Sequence, residues 1–155
     1  MIVSKKTDRR ARAEHLFKVI SSQRFLQKRG LGNEVPFFIR AFEAEYGLSL
    51  GEDREDLIAR LRHAGIGVLD LDLYDLSVGI LEDRGIFEQI LEIEAETEKA
   101  QLKELLQSVL DPQEHLIPEI ARRIEEIPHD VIFLSGVGEV YPFLRSHNVL
   151  NNLQS

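Results

Sequence analysis

Several groups of residues in this chain have types and spacing that could do chemistry. The glycine turn Ser135-Gly136-Val137-Gly138-Glu139-Val140-Tyr141 follows an apolar run. It therefore stands where a strand hands over to a helix, a place where backbone amides can approach a phosphate. A dinucleotide fingerprint needs a third Gly or Ala where Tyr141 stands, and a triphosphate loop needs Gly-Lys-Ser or Gly-Lys-Thr, which occurs nowhere in the chain. Two glycines that simply turn the chain tightly account for the same residues. Asp70 and Asp72 share one face of a predicted strand and, with Asp75 just beyond it or with Glu139, have the oxygen chemistry that suits Mg²⁺. The competing reading is a solvated strand face running into a helix whose N-cap is Asp75.

His115 and Glu119 lie one helical turn apart, and His147 lies near Glu139 and Arg145, but no second histidine is placed to complete a zinc site. Ser135 lacks the Gly-x-Ser-x-Gly setting of a nucleophile elbow. The stretch Tyr141-Pro142-Phe143-Leu144-Arg145-Ser146-His147-Asn148-Val149-Leu150-Asn151-Asn152-Leu153 mixes aromatic, cationic and amide groups just after the last predicted strand. In open α/β sheets that end of a strand is where sites form. Arg145, His147, Asn151 and Asn152 can bind an anion or hold a loop in place. None of these groups assembles a recognisable catalytic set, so the residues point to no enzyme, no cofactor and no bound metal.

The elements that must position these residues follow from periodicity. Ala13, Leu16, Phe17 and Ile20 recur at helical spacing, predicting an amphipathic basic helix over residues 7–22. Pro36 precedes the run Phe37 to Phe42, which reads as a strand. Residues 52–64 read as a helix ending at Gly65. Val68 to Leu73 alternates, with Leu69, Leu71 and Leu73 on one side. Residues 75–127 are helical almost throughout, broken at Gly85, around Glu94 to Glu98 and at Asp111-Pro112. Val131 to Leu134 is apolar on both sides, as expected of a covered parallel strand, and Pro142 suits the first turn of a closing helix. The predicted fold is a single α/β domain over residues 1–155. It has a small parallel-type sheet of about three strands flanked by helices, with a helical insertion between the second and third strands. Three strands make a small sheet, so the expectation is that the chain is truncated at its C-terminus.

Charge divides the chain. Residues 1–30 carry a balance of +7 and residues 31–155 a balance of −15, for a net charge of −8. The cluster Lys5, Lys6, Arg9, Arg10 and Arg12 can meet phosphates, an acidic partner or the protein's own acidic body. The acidic remainder would repel a phosphate backbone, so contact with DNA is expected to be indirect at most. With 43% hydrophobic and 30% charged residues the composition is that of an ordinary globular protein. The absence of cysteine excludes disulfide, thiolate-zinc and cysteine-nucleophile chemistry. No apolar run approaches a membrane span and the N-terminus has too short an apolar stretch for a secretory signal, so a cytoplasmic location is expected.

The block Asp130-Val-Ile-Phe-Leu-Ser-Gly-Val-Gly-Glu-Val-Tyr-Pro-Phe-Leu-Arg-Ser-His-Asn-Val-Leu-Asn-Asn-Leu-Gln154 closely resembles the signature of the BrxB family of bacteriophage exclusion (BREX) defence systems. Two further blocks resemble it in order and position. They are Gly30-Leu-Gly-Asn-Glu-Val-Pro-Phe-Phe-Ile39, and Val68-Leu-Asp-Leu-Asp-Leu-Tyr-Asp-Leu76 with Ile80-Leu-Glu-Asp-Arg-Gly85. The resemblance implies a cytoplasmic accessory protein without established catalytic activity. It also implies action with PglZ, an alkaline-phosphatase-superfamily protein, and with the system's methyltransferase and ATPases. Its α/β core is similar to P-loop-type scaffolds, without their lysine-bearing loop, and family members continue with a further strand. The function expected is a non-enzymatic adaptor that binds PglZ. The alternative is a nucleotide- or divalent-metal-dependent enzyme using the Gly136 to Glu139 turn with Asp70 and Asp72.

The binding surface is expected after the last strand, at Tyr141, Phe143, Arg145, His147 and Asn151. The acidic helices are disfavoured because interface centres are depleted in Glu and enriched in Tyr, Phe and Arg.

Overall fold

The computed structural model describes residues 5–27, 39–41 and 47–153. The chain divides into two compact units, one formed by residues 1–68 and 129–131, the other by residues 69–128 and 132–155.

In the first unit the basic helix α1 (Lys5–Ile20) and the short α2 (Gln23–Leu26) precede α3 (Gly47–His63). α1 lies against α3. The Arg9 guanidinium donates to the Asp53 carboxylate at 2.7 Å, to Glu52 at 3.1 Å and to the Ser49 carbonyl at 3.0 Å. Arg60 pairs with Glu14 at 2.9 Å and sits 4.2 Å from the centre of the Phe17 ring. Leu57, Ile58 and Leu61 form the buried stripe of α3. Arg60, Arg62 and His63 occupy its last turn, where cations complement the helix dipole. Gly65, at φ +81°, then closes the helix. Its amide returns to Arg62 and that of Ile66 to Leu61, a left-handed cap that a side chain would disfavour.

The strand expected over residues 37–42 falls mainly outside the described residues, and 39–41 have no regular structure. The sheet among the described residues therefore has two strands, β1 (Val68–Asp72) and β2 (Val131–Ser135), paired in parallel, where about three were expected. β2 is not covered on both sides: Ile132 is 40% exposed.

In the second unit β1 is followed by α4 (Leu73–Asp83), α5 (Phe87–Glu94) and α6 (Lys99–Val109). A wide π-type turn (Pro112–Leu116) then runs into α7 (Ile117–Glu126). After β2, a turn region leads to α8 (Ser146–Leu153). Leu69, Leu71 and Leu73 point into a core with Leu76, Leu116, Ile120, Val140, Leu144 and Val149. The alternation read from the sequence is thus the in-and-out register of β1. α4 begins earlier than expected, because Asp72 rather than Asp75 is its N-cap. Asp111 caps the next helical run, accepting from the amides of Gln113 and Glu114, with Pro112 in the first turn where it costs no hydrogen bond. Pro142 does not open α8. It lies in a preceding turn where the Leu144 amide returns to Val140, and its carbonyl accepts from the Gln107 side chain at 3.2 Å.

Candidate functional site

Of the residues singled out by the sequence, Asp72, Ser135 and Gly136 meet at the carboxyl end of the two strands. Asp72 ends β1 and Ser135 ends β2. One Asp72 oxygen accepts from the amides of Tyr74 at 2.9 Å and Asp75 at 3.3 Å, and the other accepts from the Ser135 hydroxyl at 3.1 Å. The carboxylate thereby caps α4 and ties the neighbouring strand to it. Gly136 (φ +74°) is seated against the same group: a Cβ at this position would stand 2.5 Å from Asp72 Oδ1 and 3.0 Å from the Tyr74 amide nitrogen. Only glycine combines that backbone angle with so close an approach.

The glycine turn is closed on itself as well as on Asp72. The amides of Glu139 and Val140 return to the Gly136 carbonyl at 3.1 and 3.2 Å, so these two are committed to the turn. The turn is also packed on a carboxylate, whose charge opposes that of a phosphate. Asp70, Asp72, Asp75 and Glu139 do not come together as ligands, since among the described residues no three His, Asp or Glu side chains group around a common point. The Ser135 hydroxyl donates its hydrogen bond to Asp72, a carboxylate in use as a helix cap. The geometry at the strand ends is that of a fastened corner.

His115 and Glu119 border an open groove of about 300 Å³ in the second unit, together with Asp83, Arg84, Glu114 and Arg122. Glu119 is committed to its own helix. Arg122 donates to both of its oxygens, at 2.8 and 3.0 Å, and Arg123 donates at 2.8 Å. The Arg122 hydrogen bond, aided by Arg123, lowers the Glu119 carboxyl from 4.5 to about 2, against the opposing effect of burial.

The segment after β2 alternates between core and solvent. Val140, Leu144 and Val149 are fully buried, whereas Tyr141 is 64% exposed and Arg145, His147 and Asn151 are also exposed. Phe143 differs from its companions: it is half-buried and packs against the core cluster. Asn152 donates to the Asn148 carbonyl one turn back. Two further exposed residues, not among the expected binding residues, lie at the strand ends. Tyr74 (48% exposed) and Val137 (36%) flank the contact between Gly136 and the start of α4. Tyr74 was open to detection as an aromatic residue inside the aspartate-rich block, at a first-turn position facing away from the Leu69-Leu71-Leu73 side.

The family model described as BREX protein BrxB matches residues 69–155, more than half of the chain. The chain belongs to the BrxB family. The match begins at the first residue of the second unit, so it contains the Asp72–Ser135 corner and the exposed segment after β2. A BREX protein BrxB of Bacillus cereus (strain H3081.97) is 28% identical over 146 residues, covering 92% of this chain and 75% of that protein. A BREX protein BrxB of Escherichia coli O9:H4 (strain HS) is 30% identical over 137 residues, covering 87% of this chain and 66% of that protein. No solved structure matches. Among the described residues no helix is long and apolar enough to cross a membrane.

Proposed function

We propose that this BrxB-family chain is a non-enzymatic, cytoplasmic adaptor of a BREX anti-phage defence system, binding PglZ and helping to assemble the defence complex. One observation carries the reading. Groups with catalytic potential at the strand ends take part in holding the fold, Asp72 by accepting from Tyr74, Asp75 and Ser135 and the Gly136 turn through the Glu139 and Val140 amides, while Tyr141, Arg145, His147 and Asn151 of the segment after β2 stand in solvent. A tyrosine and an arginine displayed on a rigid corner have the composition of an interface centre. The choice of PglZ comes from the family resemblance of the signature block. Among the basic residues of α1, Arg9 is already engaged by Glu52 and Asp53, which favours a structural role for part of that cluster over contact with nucleic acid.

The deciding experiment is co-purification of the chain with PglZ, followed by titration at micromolar concentration. A stable complex supports the adaptor, and no binding to PglZ or any other component of the system sinks it. Thermal shift with Mg²⁺, Mn²⁺ and ATP tests the enzyme reading in parallel. A ligand at a hundred times its dissociation constant stabilises a fold by about 2.7 kcal/mol, so unchanged melting in all three opposes an enzyme and a clear shift in any one opposes the adaptor.

A further inference from the structure

Charged groups fasten α1 to α3 at two points. Arg9 holds Asp53, Glu52 and the Ser49 carbonyl in the first part of α3, and Arg60 near its end donates to Glu14 while lying over the Phe17 ring. Apolar closure between the two helices is incomplete. Among the described side chains of α1 none is buried, and Leu16, Phe17, Val19 and Ile20 are half-buried. An open groove of about 480 Å³, lined by Phe17, Ala59, Arg60, His63 and Ala64, remains beside the Phe17 ring. The Arg9, Glu14, Glu52 and Arg60 side chains are 40–74% exposed, which leaves their pairs open to screening by salt; Asp53, at 15%, is the covered centre of the Arg9 contact. A helix of 16 residues is marginal in water once it loses its tertiary contacts. From this we infer that α1 is an ionically latched arm, which leaves α3 and loses its helical structure as a unit when the Arg9 and Arg60 pairs are broken. It closes again when they re-form. Opening returns the Arg9 guanidinium and the Glu52 and Asp53 carboxylates to solvent, so a charged partner that takes either side competes with closure. The latch lies within the first unit and does not rest on the surface at Tyr141 to Asn151.

The test is amide hydrogen exchange of the whole chain at 50 mM and at 1 M NaCl, where the screening length falls to about 3 Å. Exchange across residues 9–20 should rise at least tenfold at the higher salt, while that of residues 116–120 in the second unit stays unchanged. Arg9→Glu should open the arm to the same degree at 50 mM NaCl, and so should Glu52→Lys with Asp53→Lys. All three together restore opposite charges with their places exchanged, and should bring back slow exchange across 9–20. Exchange of 9–20 that is independent of salt overturns the inference. So does a triple variant as open as Arg9→Glu alone, because apolar packing would then be what holds the helix. Faster exchange that spreads to 116–120 in step with 9–20 also overturns it, since the event would be unfolding of the chain instead of release of α1.

Discussion

The Asp72 carboxylate and the Ser135 hydroxyl, 63 residues apart in sequence, meet at 3.1 Å and join the carboxyl ends of the two strands. The same carboxylate starts α4, so one side chain sets where β1 stops, how α4 leaves it and where β2 ends beside it. Asp72→Ala removes an N-cap and leaves the Ser135 hydroxyl without this acceptor, which should cost about 1–2 kcal/mol of unfolding free energy. Asp72→Asn, which keeps an acceptor oxygen, should lose less. Urea denaturation of both variants checks this. A carboxylate whose purpose was catalysis would show unchanged or increased stability when neutralised.

Gly136 and Gly138 make a matched pair for the next prediction. Gly136→Ala introduces a Cβ 2.5 Å from Asp72 Oδ1 at a φ of +74°, and should destabilise by more than about 1 kcal/mol. Gly138→Ala meets nothing within 4 Å and should change stability by less than about 0.5 kcal/mol. In the double variant Asp72→Ala/Gly136→Ala the clash with the Asp72 carboxylate should disappear while the close approach to the Tyr74 amide and the positive φ remain, giving a coupling free energy readable from the four melting curves. Strict additivity would show that Gly136 does not act through Asp72.

What the sequence made legible, and what it did not, follows the distance over which each feature is determined. The Leu69-Leu71-Leu73 alternation and the Gly65 cap are local, and each has a single physical cause within a few residues. The choice of Asp72 over Asp75 as N-cap was not visible, because both are acids near the same boundary and the decision rests on the distant Ser135 and Gly136. Pro142 suited a first helical turn, but burial of Val140, Leu144 and Val149 in one core is met by a turn followed by a helix from Ser146. The family was legible in the candidate surface itself, since Asp130 to Gln154 carries both the buried frame and the exposed side chains. The incomplete burial of α5 and α6, neither of which contains a buried residue, was not, because their apolar stripes look like those of any packed helix until their neighbours are known.

Acid should unfasten α7. Glu119 has its carboxyl lowered from 4.5 to about 2, chiefly by its hydrogen bond with Arg122. A lowered folded-state value means the unfolded chain takes up the proton first as pH falls, so the stabilisation is fully present above about 4.5 and is lost progressively towards 2. Glu119→Gln should therefore melt below the wild type at pH 7, with the gap closing between pH 4.5 and 2. A gap that stays constant across that interval would assign the loss to side-chain packing instead of charge.

Arg145 and Leu144 are adjacent in sequence and have opposite surroundings, which makes them the sharpest probe of the surface after β2. Leu144 is 1% exposed within the core, and Leu144→Ala should cost about 2–5 kcal/mol with partner affinity of the folded fraction unchanged. Arg145 is solvent-exposed, and Arg145→Ala should leave the melting temperature within the range of an ordinary surface substitution, about ±0.5 kcal/mol in stability. On the adaptor reading the same variant binds PglZ at least tenfold more weakly, because truncating an arginine at an interface centre removes both its hydrogen-bond donors and its packing area. Tyr141→Ala, at 64% exposure, should behave alike. Phe143→Ala should not, since its half-buried ring packs on the core and its loss must first appear as reduced stability. Measuring melting and affinity on each preparation separates the two effects. If Arg145→Ala and Tyr141→Ala both retain full affinity while remaining folded, the contact lies elsewhere on the protein.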